Sequence, residues 1–561
     1  MLVDARTLPT GEIIETEVCI VGAGPAGITL AREFAFANFR VCLLESGGLE
    51  SNEYTQSLCE GETVGEDFGK LDSQRLRQFG GTANRWEIRM GNHPVGVRHV
   101  PLDKIDFEKR DWLPYSGWPF DKSHLDPFYE RAQSVCKIGP FAYDAEAWEE
   151  AIAPQLPLTG GQVTTTMFQF GPRTCFTHEY RDELNQASNI TTYLNANVVD
   201  IETNETAKTV TRVRVACLQG KEFWVSGKVF ILATGAMENA QLLLLSNKTQ
   251  KAGLGNQNDL VGRFFMDHPF VDGGMLIPSN RQIFNTTALY DLRQVNNVAV
   301  MGKLTLTEEV MRREKLLNIS AILFPRPKPY QSKAAKSFDT LRTALVNAEV
   351  PKDAFKHLSN VMNGLDYIVP AVHRRVTKQQ TFFPSLGSGG WSYLKANERR
   401  FVTFEVLHQT EQAPNPDNRV MLSAQRDRLG RRKVQLHWHC WSDIEICSIR
   451  RAQEIIREEI AAAGLGHFQI ERDGELPQLH APGAHHHMGT TRMHPDPKQG
   501  VVDKNCQVHG VSNLFITGGS VFPTGGFANP TLTIVALAIR LADHVKTAMA
   551  PNTAGLVAIK S

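Results

Sequence analysis

The chain has no run of roughly eighteen consecutive apolar residues, so a membrane-spanning helix is not expected. Its nine cysteines are scattered, with no Cys-x-x-Cys pair and no Cys-x-x-Cys-His. That pattern argues against a disulfide framework, a covalent haem and an iron–sulfur site, and favours reduced thiols. Net charge is also missing: the balance is zero and the pI about 7.3, so no global field draws the protein to nucleic acid or an anionic surface. The first residues, MLVDARTLPTGEIIETE, lack the charged and apolar regions of a secretory signal, and a cytoplasmic protein is expected. No internal repeat or low-complexity tract occurs.

What remains is the composition of an ordinary soluble protein, 42% hydrophobic and 21% charged, over 561 residues. Such a length exceeds one simple core and suggests several domains acting on a small ligand.

The first motif lies near the N-terminus. An apolar strand pattern at 17–21 runs into Gly22-x-Gly24-x-x-Gly27 and then a helical pattern through Ile28, Leu30, Ala31, Phe34 and Ala35. Gly22 permits the tight turn, Gly24 lets a pyrophosphate approach the backbone, and Gly27 lets helix and strand pack closely. A second strand, FRVCLLE, ends in Glu45, placed to bind the hydroxyls of an adenosine ribose. This unit predicts a dinucleotide site; Glu45 disfavours NADP but suits both FAD and NAD.

Further on, RQFGGTANRW sets two glycines before Thr82, Asn84, Arg85 and Trp86, either a ligand-facing turn or a surface turn with a packed tryptophan. DFEKRDWLPYSGWPF, dense in aromatics and proline, leads to a helix over about 122–135, and strands alternate between 160 and 250. KVFILATGAMENAQLLLLS reads as a strand, a small-residue turn and a helix from near Glu238. Residues 328–378 read as two basic helices parted near Pro351, either a solvated face or a partner or membrane-surface contact. His437 and His439 share a strand face, but no ligand stands at a useful spacing, so no metal site is assigned. A helix is expected over about 442–463. The last third holds AHHHMGTTRM and, about forty residues later, GGSVFPTGGFANPTLTIVALAIRLAD, a glycine turn followed by Asn-Pro-Thr at a helix start.

CIVGAGPAGITLAREF with Glu45, ILATGAMENAQLLLLS, and the HHHMGTTRM to GGFANPT pair together resemble the glucose–methanol–choline (GMC) family of FAD-dependent oxidoreductases. GGTANRW and the aromatic loop look most like its bacterial sugar-oxidising branch of pyranose oxidases, glycoside 3-oxidases and fructose dehydrogenases. The resemblance implies an α/β fold: a Rossmann-like FAD-binding domain, discontinuous over 10–60, 190–275 and 480–550, and a sheet-based substrate-binding domain from 75–189 and 276–479. The basic 328–378 segment would be an insertion in the latter.

It also implies roles. His486 becomes the catalytic base and Asn529 its partner, with His485 and His487 structural. The cofactor-binding set becomes Gly22, Gly24, Gly27, Glu45, Gly81, Thr82, Asn84, Arg85, Trp86, Val198, Ala233, Gly235, Gly519, Ser520, Pro530 and Thr531. Relatives that attach FAD covalently have histidine where Arg85 stands, so noncovalent FAD is expected. Physical chemistry supports the base independently, since imidazole titrates in the range a base requires. The helix starting at Pro530 and Thr531 would present its positive end to a developing anion.

The expected reaction is oxidation of a secondary sugar or glycoside hydroxyl to a keto group, with oxygen, a quinone or a partner protein as acceptor. An aliphatic, aromatic or sterol alcohol, or a non-redox lyase, stays open as an alternative. Gln412 is a weak candidate for substrate binding.

Overall fold

The computed structural model describes residues 1–550 apart from 36, 92, 377–383, 471–475 and 482. A six-stranded parallel sheet runs in the order Leu2–Asp4, Ile190–Leu194, Val41–Leu44, Val18–Val21, Val229–Leu232, Leu514–Ile516. Its four last-named strands are buried along their whole length, as all-apolar tetrads and triads in a parallel sheet should be. Helix Pro25–Phe34 packs on the C-terminal helix Thr531–Met549, which also packs on Lys122–Cys136. Chain ends far apart in sequence therefore meet through strand pairing: Leu514–Ile516 lies beside Val229–Leu232, which lies beside Val18–Val21.

Strand Leu2–Asp4 lies ahead of the 10–60 segment expected to begin this sheet. It pairs with Ile190–Leu194, and the terminal amino group donates to the Ile190 carbonyl at 2.8 Å. A three-residue, half-buried strand has no periodicity of its own; only the long-range partner defines it.

The second main sheet is antiparallel, in the order Gly466–Gln469, Phe270–Pro278, Thr403–Thr410, Ile319–Arg326, Val298–Leu306, Val163–Phe170, Arg98–His99. Helix Asp443–Ala462, opened by a capping box between Ser442 and Glu445, buries Ile449, Ile455, Ile456 and Ile460 in a core shared with these strands. The aromatic loop is fastened to the sheet by Arg110 and Glu411, whose side chains are both fully buried and meet in a two-pronged ion pair at 2.5 and 2.8 Å. Forked geometry and a further bond from the Asn318 amide to Glu411 at 2.9 Å offset the desolvation of both charges.

Among its described residues, the segment expected to hold two basic helices holds three: Pro329–Val346, Ala354–Asn363 and Leu365–Val376. Pro351 lies in the first break, and Gly364 makes the second. There a Cβ would stand 2.1 Å from that of Ala334, so only glycine permits the close turn. Among the described residues no helix is long and apolar enough to cross a membrane.

Candidate active site

A cleft of about 510 Å³ opens where the parallel sheet's turns face the antiparallel sheet. Gly22 (φ +101°) makes the first turn, and a Cβ there would lie 2.6 Å from the Ala233 carbonyl oxygen. At Gly27 it would lie 1.9 Å from the Gly22 carbonyl oxygen, whereas at Gly24 it would meet nothing within 4 Å. Two glycines thus let the chain pack tightly, and the third leaves open space at the N-terminus of helix Pro25–Phe34, where backbone N–H groups and the helix dipole suit a phosphate. Glu45 reaches the same cleft; its carboxylate accepts from the Ala23 amide at 2.9 Å and the Gly47 amide at 2.8 Å, and burial raises its pKa despite those bonds.

Ala233 and Gly235 line the wall just before helix Ala236–Leu245, which begins two residues earlier than Glu238. Val198 lies on the same wall, as do Gly519, Pro530 and Thr531, the last opening helix Thr531–Met549. From the glycine-rich segment come Gly81, Thr82, Arg85 and Trp86. Gly81 stacks on Gly24, while Arg85, largely exposed, donates to the Ser73 carbonyl. Trp86 meets Phe176 and His99 edge-on.

Four residues of the expected set support the cleft from behind. Gly27 packs under the first turn. Asn84 donates to the Phe79 and Gly81 carbonyls at 2.9 Å and shapes the loop. Ser520 accepts from Asn239 at 3.0 Å, and Asn529 is buried. Gln412 is not brought to the cleft: its carbonyl accepts from the Asp267 amide, and its amide donates to the His439 and Cys440 carbonyls, so its polar atoms are engaged in holding two loops together.

At one end of the cleft stands His486. Its Nε2 lies 3.0 Å from the Asn529 amide nitrogen, and its Nδ1 lies 2.9 Å from Nδ1 of His268. The hydrogen-bond chain fixes the protons. Gln409 donates to the Phe527 carbonyl at 2.6 Å and to Asn529 Oδ1 at 3.3 Å. Asn529 therefore turns its NH₂ to His486, making Nε2 an acceptor, and the His486 proton sits on Nδ1 and points at His268. Burial first, then His268 and Arg98, hold the His486 pKa well below the usual imidazole value, which keeps the ring neutral with a lone pair on Nε2. His487 is packed between Phe68 and Phe265 and bonded to Gln74 at 3.0 Å; His485 stands exposed at the mouth with φ +61°.

Three residues here carry no mark in the local sequence. His268 is fully buried. Asp267 accepts at Oδ1 from the amides of His268, Ala484 and His486 at 2.7–3.0 Å, so one carboxylate oxygen fixes the histidine loop onto the neighbouring strand. A two-residue antiparallel bridge, Met266 to Met488, brings these loops together. Arg98, on the edge strand Arg98–His99, is the third and also lines the cleft.

The residues fit an FAD: open space beside Gly24 and Gly518, an acid at the second strand end, two helix N-termini and a titratable base at the far end. Comparison with known proteins agrees with that geometry. Residues 414–538 match the GMC oxidoreductase family. The chain is 25% identical over 325 residues to the fructose dehydrogenase large subunit of Gluconobacter japonicus, covering 57% of this chain and 47% of that protein. It is 38% identical over 122 residues to a C-glycoside 3-oxidase of Arthrobacter globiformis, covering 21% and 22% of the two. The matches thus span less than half the length of these curated relatives. Among solved structures, an FAD-dependent oxidoreductase from Chaetomium thermophilum superposes with a TM-score of 0.52 at 16% identity, over 95% of this chain and 99% of that one, a likeness of fold. The C-terminal part of the chain, residues 414–538, is thus similar to the GMC oxidoreductases, and the fold of the whole chain is like that of an FAD-dependent oxidoreductase.

Proposed function

We propose that the protein is an FAD-dependent oxidoreductase that oxidises a secondary hydroxyl of a sugar or glycoside to a keto group. The observation that carries this reading is a neutral His486 at the end of the cleft that the glycine turns open, with the buried Asn529 amide hydrogen-bonded to its Nε2. FAD, when bound, supplies the hydride acceptor. His486 Nε2 takes the hydroxyl proton, a contribution of about 10²–10⁴ in rate for a positioned base. For this the hydroxyl displaces the Asn529–His486 hydrogen bond, after which Asn529 donates to the same oxygen and orients it, and His268 holds the ring by accepting from Nδ1–H. The N-terminus of helix Thr531–Met549 presents partial positive charge to the negative charge that develops as the hydride leaves the substrate.

A sugar substrate is supported by the relatives named above, and by the "Pyranose 2-oxidase" of Tricholoma matsutake, 41% identical over 73 residues. We assign Leu2–Asp4 with segments 10–60, 190–275 and 480–550 to the FAD-binding domain, and most of the remainder to the substrate side. The electron acceptor is oxygen, a quinone or an electron-carrying protein. An anaerobic screen of free sugars and glycosides for flavin bleaching, followed by reoxidation with each acceptor, tests the reading. Bleaching by simple aliphatic or aryl alcohols and by no sugar would replace it with the non-sugar alternative.

A further inference from the structure

Arg98 occupies a position that an arginine rarely holds without a counter-ion. Its side chain belongs to a residue 7% exposed on the edge strand of the large sheet, paired with Phe170. Burial lowers its pKa to about 10, its Nε is buried without a hydrogen-bond partner, and it forms no ion pair among the described residues. The guanidinium carbon stands 5.6 Å from the Phe168 ring centre. Lys303 stands over the same ring, Nζ at 4.1 Å, with a single bond to the Met167 carbonyl.

Among the described residues neither basic side chain beside Phe168 forms an ion pair; burial lowers the Lys303 pKa to about 7, with Asp103 acting against that shift, so Arg98 is the one of the two that stays charged. An uncompensated buried charge is unfavourable, and a fold keeps one where something else supplies the acceptors. Arg98 lines the main cleft together with His486, and also a small side cavity that shares Ile88 and Leu386 with it. It is near enough to His486 to lower that ring's pKa. Its planar fork of N–H donors matches two oxygens on adjacent atoms or on one carboxylate, a match that an ammonium group cannot make.

We propose that Arg98 anchors the substrate through a pair of oxygen acceptors next to the hydroxyl that His486 deprotonates, supplied by vicinal hydroxyls of a neutral sugar or by the carboxylate of a sugar acid. This rests on the proposed function for the identity of the site, and names the contact that would select polyols over simple alcohols. A simple alcohol has the reacting hydroxyl but no second oxygen to reach the guanidinium.

Ligand binding to the flavin-loaded His486→Ala protein, held anaerobic and without an electron acceptor so that the slowed variant cannot turn over, is measured by calorimetry with methyl β-D-glucoside, D-glucuronate and benzyl alcohol. The same titrations are made after adding Arg98→Gln. Affinity for the glucoside, the glucuronate or both should fall about tenfold or more, as expected for loss of charge-assisted hydrogen bonds, with benzyl alcohol unchanged. A loss confined to glucuronate identifies a carboxylate, and one confined to the glucoside a diol. Arg98→Lys keeps the charge without the fork and should bind between the two; it also decides the case if Arg98→Gln fails to retain flavin.

Equal affinities with and without the guanidinium would overturn the proposal. So would a shifted flavin midpoint potential with ligand affinity intact, which would place Arg98 against the cofactor instead. Because binding is read without turnover, loss of affinity in Arg98→Gln would stand even if no sugar reduced the flavin of the unmodified protein, and the two readings fail separately.

Discussion

Nδ1 of His268 and Nδ1 of His486 stand 2.9 Å apart, with their rings at 74°. Two neutral imidazoles share one proton at that distance, and the Gln409–Asn529 chain on the other side assigns it to His486. His268 is therefore a positioning residue, acting on the base and not on the substrate.

This arrangement sets a pH dependence. A base is active when unprotonated, and the His486 pKa is held well below the usual imidazole value. The kcat/KM of the free enzyme should then stay level as pH falls through about 6.5 and decline only at more acid pH. His268→Ala removes the acceptor for Nδ1–H and one of the influences that depress the pKa. It should lower kcat/KM about tenfold or more and move the acid limb upward, while His268→Asn, which keeps an acceptor, should recover part of the rate. A level profile in His268→Ala at full rate would deny the coupling.

Asp267 makes a prediction about stability. Its carboxyl is fully buried and its pKa is raised to about 6, burial outweighing the backbone donors. A folded-state pKa above the unfolded value means that the group's contribution is fully present below about pH 4 and is lost as pH rises through about 6. The loss is on the order of 2–3 kcal/mol. Thermal melts of the unmodified protein and Asp267→Asn should differ in slope across that window, with the variant less sensitive to pH; parallel slopes would show that Asp267 does not titrate there.

The resemblance places Arg85 at the position of the histidine in relatives that bind FAD covalently; Arg85 lines the cleft, and its guanidinium donates to the Ser73 carbonyl. Acid precipitation should release the flavin into the supernatant. Yellow colour remaining on the precipitated chain would mean a covalent link through another residue.

Much of this site can be read from sequence where a short pattern carries its own physical reason. The strands Val18–Val21, Val41–Leu44 and Val229–Leu232 are unbroken apolar runs beside small-residue turns, and His486 and Asn529 lie within patterned segments. Leu2–Asp4 could not be read, because three half-buried residues become a strand only through Ile190–Leu194. His268 and Arg98 were equally silent. One lies in an ordinary Asp-His-Pro and the other in a two-residue strand, and each acquires meaning only when the fold sets it beside His486. Gln412 shows the converse: an amide that looked free to bind a ligand is engaged by Asp267 and His439 once the loops are folded.

The most direct measurement is the rate of anaerobic flavin reduction by a sugar that bleaches the unmodified enzyme, compared with His486→Ala at equal flavin content. The account predicts that the variant keeps its flavin and is reduced roughly 10²-fold or more slowly. An unchanged rate with flavin retained would contradict it, removing His486 as the base.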